Sequence, residues 1–206
     1  MFNIICVKFG NKYSSDFVNK LQMDCLTHLG NFDFYCYTDD PEGIHQSIQT
    51  INPVGPTLKG VWNKLCLFNP EFPIVGKNIF LDLDVCVKDN FLEHLTNHNW
   101  NNLHLVYAPW KDNKKKYGRL SSYDVTHHSS VMIWENNVHH IWNHFNSGLR
   151  DYYMRKYVGI DRFLAHEDFE IEYLPENMIM SKKHQNFDNP AIVTYEELDV
   201  SIQDLI

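Results

Sequence analysis

Nowhere does the chain approach the roughly 18 consecutive apolar residues that a membrane-crossing helix needs, so no span is expected. The opening "MFNIICVKFG" lacks the basic segment, the longer apolar segment and the small-residue cleavage site of a secretory signal. It reads as a first strand. No C-x-x-C pair occurs among the five cysteines, and an odd count does not suit a disulfide framework. Buried thiols in a reducing compartment, hence a cytoplasmic setting, are the expectation. Positive charge is also short. The 18 Lys and Arg against 26 Asp and Glu leave a net charge of −8, which argues against nucleic acid as a main partner. With 9 Gly and 8 Pro among 206 residues, no repeat, low-complexity run or linker divides the sequence. A single domain over residues 1–206 is expected.

What is present is apolar and aromatic material: 44% hydrophobic and 14% aromatic residues, enough for a sizeable core. "FNIICV" (2–7) and "FDFYCYT" (32–38) read as strands around a helix over 14–29, where Phe17, Leu21, Cys25 and Leu29 recur every fourth residue. "HQSIQTINP" suggests a short edge strand and "GVWNKLCLFNPEFP" a brief helix closed by prolines. "LHLVYAP" (103–109), "SSVMIWE" (129–135) and "EIEYLP" (170–175) are further strands. Residues 136–157 read as helical with Gly148 as a weak point, and the end offers one more short strand. Strands alternating with helices predict an α/β fold with a mainly parallel sheet.

The informative stretch is "KNIFLDLDVCV", Lys77 to Val87. As one strand it sends Ile79, Leu81, Leu83 and Val85 one way and Phe80, Asp82, Asp84 and Cys86 the other. The two carboxylates would then lie roughly 7 Å apart on one face. Two ionised carboxylates that close repel, and burial raises their pKa values. A divalent cation resolves the conflict, and hard oxygen donors suit Mn²⁺ or Mg²⁺ completed by substrate phosphates. The plainer alternative is a strand end at which both aspartates meet solvent. Apolar strands ending in acids are also where open α/β sheets bind ligands.

The succession "CVKFGNKYSSDFVNKL", "YTDDPEGI", "WNKLCLF", "NIFLDLDVCV", "SSVMIWE" and "GID" resembles glycosyltransferases of the GT-A fold, close to family 8, from about residue 4 to residue 168. The resemblance implies a Rossmann-like nucleotide-diphospho-sugar transferase fold, a mainly parallel mixed sheet flanked by helices. It also implies sugar transfer from a nucleotide-sugar donor, expected to be a UDP-sugar, with retention. Mn²⁺ (or Mg²⁺) would be held by Asp82 and Asp84. Lys8, Tyr13, Thr38, Asp39, Lys64, Asp82, Ser129 and Ser130 fall at donor-binding positions, with Tyr13 able to stack on a uracil ring. Lys64 and Asp161 are the candidate catalytic groups, Asp161 being the one candidate base should the reaction invert. Trp62 reads as packing. The family's third metal ligand, a histidine in an "HGxxKP" segment, has no counterpart here, and the context of His184 does not match it. A saccharide, a lipid-linked glycan or a protein is the expected acceptor.

Other constellations compete. His140 and His144 stand one helical turn apart, as zinc ligands can, but no glutamate or cysteine completes a site. His127 and His128 precede the "SSVM" strand and could reach a pocket. The basic run "KDNKKKYGR" (111–119) reads as a solvated loop or as a phosphate-contacting flap around Lys114–Lys116. A haloacid-dehalogenase-type phosphatase also ends an apolar strand in D-x-D, but it expects Thr or Val where Cys86 stands. A sugar-nucleotide-binding protein without catalysis is the non-enzymatic alternative.

Overall fold

Successive residues of the first strand bury in opposite directions: Ile4 and Cys6 join one hydrophobic cluster and Ile5 the other. Strands that are apolar on both sides need cover on both faces. The computed structural model describes residues 2–111, 125–135, 138–195 and 201–205, so the Lys114–Lys116 flap lies outside the described residues. The strands described are β1 (Phe2–Lys8), β2 (Phe32–Thr38), β3 (Gln49–Ile51), β4 (Lys77–Leu81), β5 (Val85–Val87), β6 (Leu103–Tyr107), β7 (His127–Glu135), β8 (Ile171–Tyr173), β9 (Ile179–Ser181) and β10 (Ile192–Thr194).

The main sheet runs β3-β2-β1-β4-β7-β6-β8, and a small second sheet runs β5-β10-β9. β1 is parallel to β2 and β4, β2 to β3, and β6 to β8, while β7 lies antiparallel between β4 and β6. This is the mixed, mainly parallel sheet that the alternation of elements predicts. The chain leaves β1 for β2 and β3 on one side, then returns to β4 on the other. The crevice beyond the carboxyl ends of β1 and β4 is therefore a topological switch point, where open α/β sheets take ligands.

One face is covered by helix α1 (Ser15–His28), which buries Phe17, Val18, Leu21 and Cys25, and by the small sheet. The other carries a 3-10 helix (Gly60–Phe68) and helices α2 (His139–Phe145), α3 (Arg150–Lys156) and α4 (Ile160–His166). Trp62 stacks on Phe145 with centroids 5.6 Å apart, so it packs as expected. The predicted long helix is interrupted at Gly148, whose φ of 93° suits glycine alone among common residues. All five cysteines are buried and free. Among the described residues no helix is long and apolar enough to cross a membrane.

The stretch Lys77–Val87 is not one strand. β4 ends at Leu81, the chain turns through Leu83 and Asp84, and β5 then pairs with β10 instead of the main sheet. Ile79, Leu81, Leu83 and Val85 share one cluster and Phe80 lies in the other. Cys86, expected on the Phe80 face, instead joins the first cluster, because β5 has left the main sheet for β10 and the alternation is lost at the turn. The second sheet captures the outgoing chain, and the carboxylates come to lie at the bend.

A separate polar knot ties the helices of the second face together. Glu167, the residue capping the C-terminus of α4, accepts hydrogen bonds from the Tyr157 hydroxyl, Lys156 Nζ (2.9 Å) and His144 Nε2 (2.9 Å). Burial alone would raise its carboxyl, but the Tyr157, His144 and Lys156 donors pull it down to about 2. A depressed folded-state value adds stability that is full above the ordinary carboxylate range and is lost as pH falls towards about 2. Glu167→Gln should cost about 2 kcal/mol at pH 7. It should also flatten the acid limb of the stability curve, as read by urea denaturation at several pH values. An unchanged acid limb would remove the knot from the stability account.

Candidate functional site

Asp82 follows Phe80 to the sheet face on which the 3-10 helix lies, and that helix aims Lys64 at it. Lys64 Nζ is 2.6 Å from Asp82 Oδ2, 3.2 Å from the Ser129 carbonyl, 3.3 Å from Ser129 Oγ and 5.1 Å from the centre of the Phe80 ring. The neighbours of Lys64 in the helix, Leu65 and Cys66, are fully buried, which fixes its root. Asp82 is itself anchored through its backbone N–H to the Ser130 carbonyl at 2.8 Å. Burial pushes the Asp82 carboxyl up to about 7; Lys64 opposes the rise and Asp84 and Asp161 add to it.

Two cavities meet at this ion pair. The smaller, about 230 Å³, is lined by Val7, Phe9, Lys12, Tyr13, Gly60 and Val61 together with Lys64, Asp82 and Asp84. Asp84 Oδ2 accepts a hydrogen bond from the Tyr13 hydroxyl at 3.2 Å. The Tyr13 ring meets Phe17 edge-on, with Lys12 Nζ over it at 4.6 Å. Tyr13 thus lines the smaller cavity, with its hydroxyl committed to one of the paired carboxylates.

The larger cavity, about 450 Å³, shares Val61, Lys64 and Asp82 and adds Lys111, His128, Ser129, Asp161 and Arg162 among its lining residues. Asp161 Oδ2 receives Lys111 Nζ at 2.6 Å, and Oδ1 receives the Ser129 N–H at 3.0 Å. Burial would raise the Asp161 carboxyl, but the charges of Lys111, His128 and Lys64 hold it well below the ordinary carboxylate range. A carboxylate so stabilised in its ionised form is a poor proton acceptor and a good hydrogen-bond acceptor. Val61 and Val158 stand 50% and 76% exposed on the same cavity, giving it an apolar lip.

The other expected donor residues sit at the strand ends without lining either cavity. Lys8 is buried and reaches the Asp40 carbonyl at 3.2 Å. Thr38 Oγ1 donates to the same carbonyl at 3.0 Å. Asp39 accepts the Gly10 N–H at 3.3 Å, tying the loop after β1 to the end of β2. Ser130 is buried against His128 Nδ1 at 2.8 Å. Among the described residues His127 Nδ1 is buried with no hydrogen-bond partner. His144 Nε2 is engaged by Glu167 and by the Tyr153 hydroxyl, at 2.9 and 2.8 Å. Among the described residues no group of three or more His, Cys, Asp and Glu is arranged to hold a metal. His184 stacks on Trp110 with centroids 6.0 Å apart, and the strand that runs beside Asp84 is β10, whose following residue Tyr195 donates its N–H to the Asp84 carbonyl at 3.1 Å.

Sequence reasoning missed Phe9, Arg162, Val61 and Val158. Arg162 follows Asp161 in "GIDR" and could have been taken with it. Lys111 was legible only as the first residue of a basic loop, because its partner lies 50 positions away.

The backbone arrangement is shared with solved structures. An active-site mutant of LgtC superposes with TM-score 0.67 at 11% identity, over 95% of this chain and 87% of that one. The galactosyltransferase LgtC with donor and acceptor sugar analogues gives 0.63 at 14% identity, with the same coverage. The glycosyltransferase GlyE of Streptococcus pneumoniae TIGR4 gives 0.64 at 14% identity, with 96% of this chain matched to 55% of that one. The chain has the GT-A fold of the glycosyltransferases. No protein-family profile and no curated protein matches the sequence. In the GT-A frame, the alternative drawn from haloacid-dehalogenase-type phosphatases falls with the fold.

The partly buried Lys111–Asp161 pair gives a direct check of the larger cavity. Lys111→Met and Asp161→Asn should each cost about 2 kcal/mol, since each strands one charge, while the double mutant costs much less than their sum. Urea denaturation of the four proteins reads the coupling. Additive losses would mean that the pair does not organise this wall.

Proposed function

We propose that the protein transfers a sugar from a nucleotide diphospho-sugar, a UDP-sugar in the first instance, to a hydroxyl of a saccharide, lipid-linked glycan or protein, with retention at the anomeric carbon. The observation that carries this reading is the Lys64–Asp82 pair at the β1/β4 switch point of a GT-A fold, shared by two cavities of different character. Support for two substrates comes from LgtC, which has been seen with donor and acceptor sugar analogues.

The smaller cavity suits the nucleotide. Phe9 and Tyr13 offer aromatic surface to a base, and Asp39 steadies the loop that carries them by holding the Gly10 N–H. Lys8 and Thr38 brace the adjoining strand ends through Asp40. The larger cavity suits the sugar and acceptor. There Ser129 and ionised Asp161 accept hydrogen bonds from sugar hydroxyls, with Lys111 fixing the Asp161 carboxylate.

Transfer forms a bond from the acceptor hydroxyl oxygen to the anomeric carbon and breaks that carbon's bond to the diphosphate. New negative charge is left on a phosphate oxygen, which can take the hydroxyl proton. Lys64, rooted in a buried helix at the junction of the cavities, supplies a positive charge to that oxygen. Asp82 and Asp84 fit a hard divalent cation, Mn²⁺ or Mg²⁺, because they offer two carboxylates and leave other positions to phosphate oxygens and water. When bound, the ion acts as a Lewis acid on the leaving diphosphate. Retention agrees with the electrostatics, since Asp161 is held ionised too firmly to serve as a general base.

Thermal denaturation with a panel of nucleotide sugars, with and without Mn²⁺, tests the reading. The right donor at 100 times its Kd should stabilise the protein by about 2.7 kcal/mol. Asp84→Asn should keep the fold, because the amide oxygen can still accept from Tyr13, and should abolish Mn²⁺-dependent hydrolysis and transfer of that sugar. Full turnover by the mutant would sink the assignment. Donor binding with no cleavage in the wild type would make this a binding protein instead.

A further inference from the structure

The candidate metal carboxylates already have partners. The Lys64 ammonium is held by the Asp82 carboxylate, the carbonyl and hydroxyl oxygens of Ser129, and the face of Phe80, within 2.6–3.3 Å for the oxygens and 5.1 Å for the ring. That is the environment of a bound cation, built around one of the protein's own. Asp84 spends one oxygen on the Tyr13 hydroxyl. A dication arriving at Asp82 meets an ammonium in contact with its ligand, and like charges so close repel strongly.

Lys64 can leave Asp82 only if another anion receives it. Asp161, a second carboxylate that feels the Lys64 charge, is occupied by Lys111 and the Ser129 N–H. The helix carrying Lys64 is packed by Trp62, Leu65 and Cys66, so the side chain must do the moving. Because Lys64 borders both cavities, a diphosphate entering either one comes within the territory of that side chain.

We infer that Lys64 is a built-in counter-cation that closes the Asp82–Asp84 site until a diphosphate draws it away, so that metal and nucleotide bind as a coupled pair. The inference rests on the transferase reading for the identity of both ligands. Without nucleotide, Lys64 satisfies a partly buried carboxylate and keeps adventitious divalent ions out. With nucleotide, the ammonium passes to the phosphate oxygens and Asp82 is released to the metal. Coupling of this kind is reciprocal: UDP raises the affinity for Mn²⁺ by the factor by which Mn²⁺ raises the affinity for UDP.

The test is Mn²⁺ binding to the full chain, followed by electron paramagnetic resonance and calorimetry, alone and with UDP, in wild type, Lys64→Met and Lys64→Arg. In wild type, UDP should tighten Mn²⁺ binding by about 100-fold. Lys64→Met should bind Mn²⁺ alone about 10-fold more tightly than wild type and show a coupling of only about 5-fold. Lys64→Arg keeps the charge and should bind Mn²⁺ alone as weakly as wild type. Should Lys64→Met fail to fold by circular dichroism, Ser129→Ala loosens the ammonium's seat and should tighten Mn²⁺ binding about 3-fold. A folded Lys64→Met, or in its place Ser129→Ala, that binds Mn²⁺ alone no more tightly than wild type would overturn the inference while leaving the transferase reading standing. Failure of wild type to bind UDP and Mn²⁺ together would remove both.

Discussion

A buried lysine ammonium seated on a partly buried aspartate, at the point where strand order reverses, is the constraint around which the candidate site is arranged. Removing a carboxylate from water costs several kcal/mol. An ion pair at near-contact distance returns about 4 kcal/mol at the effective dielectric of a protein interior. The two terms are comparable, so Asp82 is held near balance and not deeply stabilised, which accords with its elevated pKa of about 7. Asp161 is the opposite case on the same cavity, with Lys111, His128 and Lys64 around it and a carboxyl held far down. Two aspartates on one cavity thus carry opposed shifts, Asp82 raised by burial and Asp161 lowered by the charges around it.

The sheet makes this possible. β1 and β4 are parallel neighbours with their carboxyl ends at one edge, and β7 runs back beside β4 to bring Ser129 and Ser130 to the same place. The bend after Leu81 follows from competition between two sheets. β7 keeps Asp82 in register through the Ser130 carbonyl, and β10 then captures Val85–Val87. Asp82 and Asp84 therefore flank a turn, each tied to a different element, the 3-10 helix through Lys64 and the β1–α1 loop through Tyr13.

Much of this was legible in the sequence because it depends on local pattern. The apolar runs "FNIICV" and "KNIFL" announced strands, and Gly148 marked the break between α2 and α3. Asp82, Asp84, Lys64 and Tyr13 could be picked out and do meet in one cavity. What escaped depends on distant pairing. Nothing local to Val85–Val87 says that it will leave the main sheet for β10, more than a hundred residues on. Nothing in "GIDR" or "APWK" announces that Asp161 and Lys111 will meet.

The central claim is that Asp82 and Asp84 together receive a divalent cation in the presence of a nucleotide diphosphate. Crystals grown with UDP and Mn²⁺, measured on both sides of the manganese absorption edge, test it most directly. The account predicts an anomalous peak between the two carboxylates, with Lys64 moved off Asp82 towards the diphosphate. A peak elsewhere, or bound UDP with no peak and Lys64 still on Asp82, would contradict it.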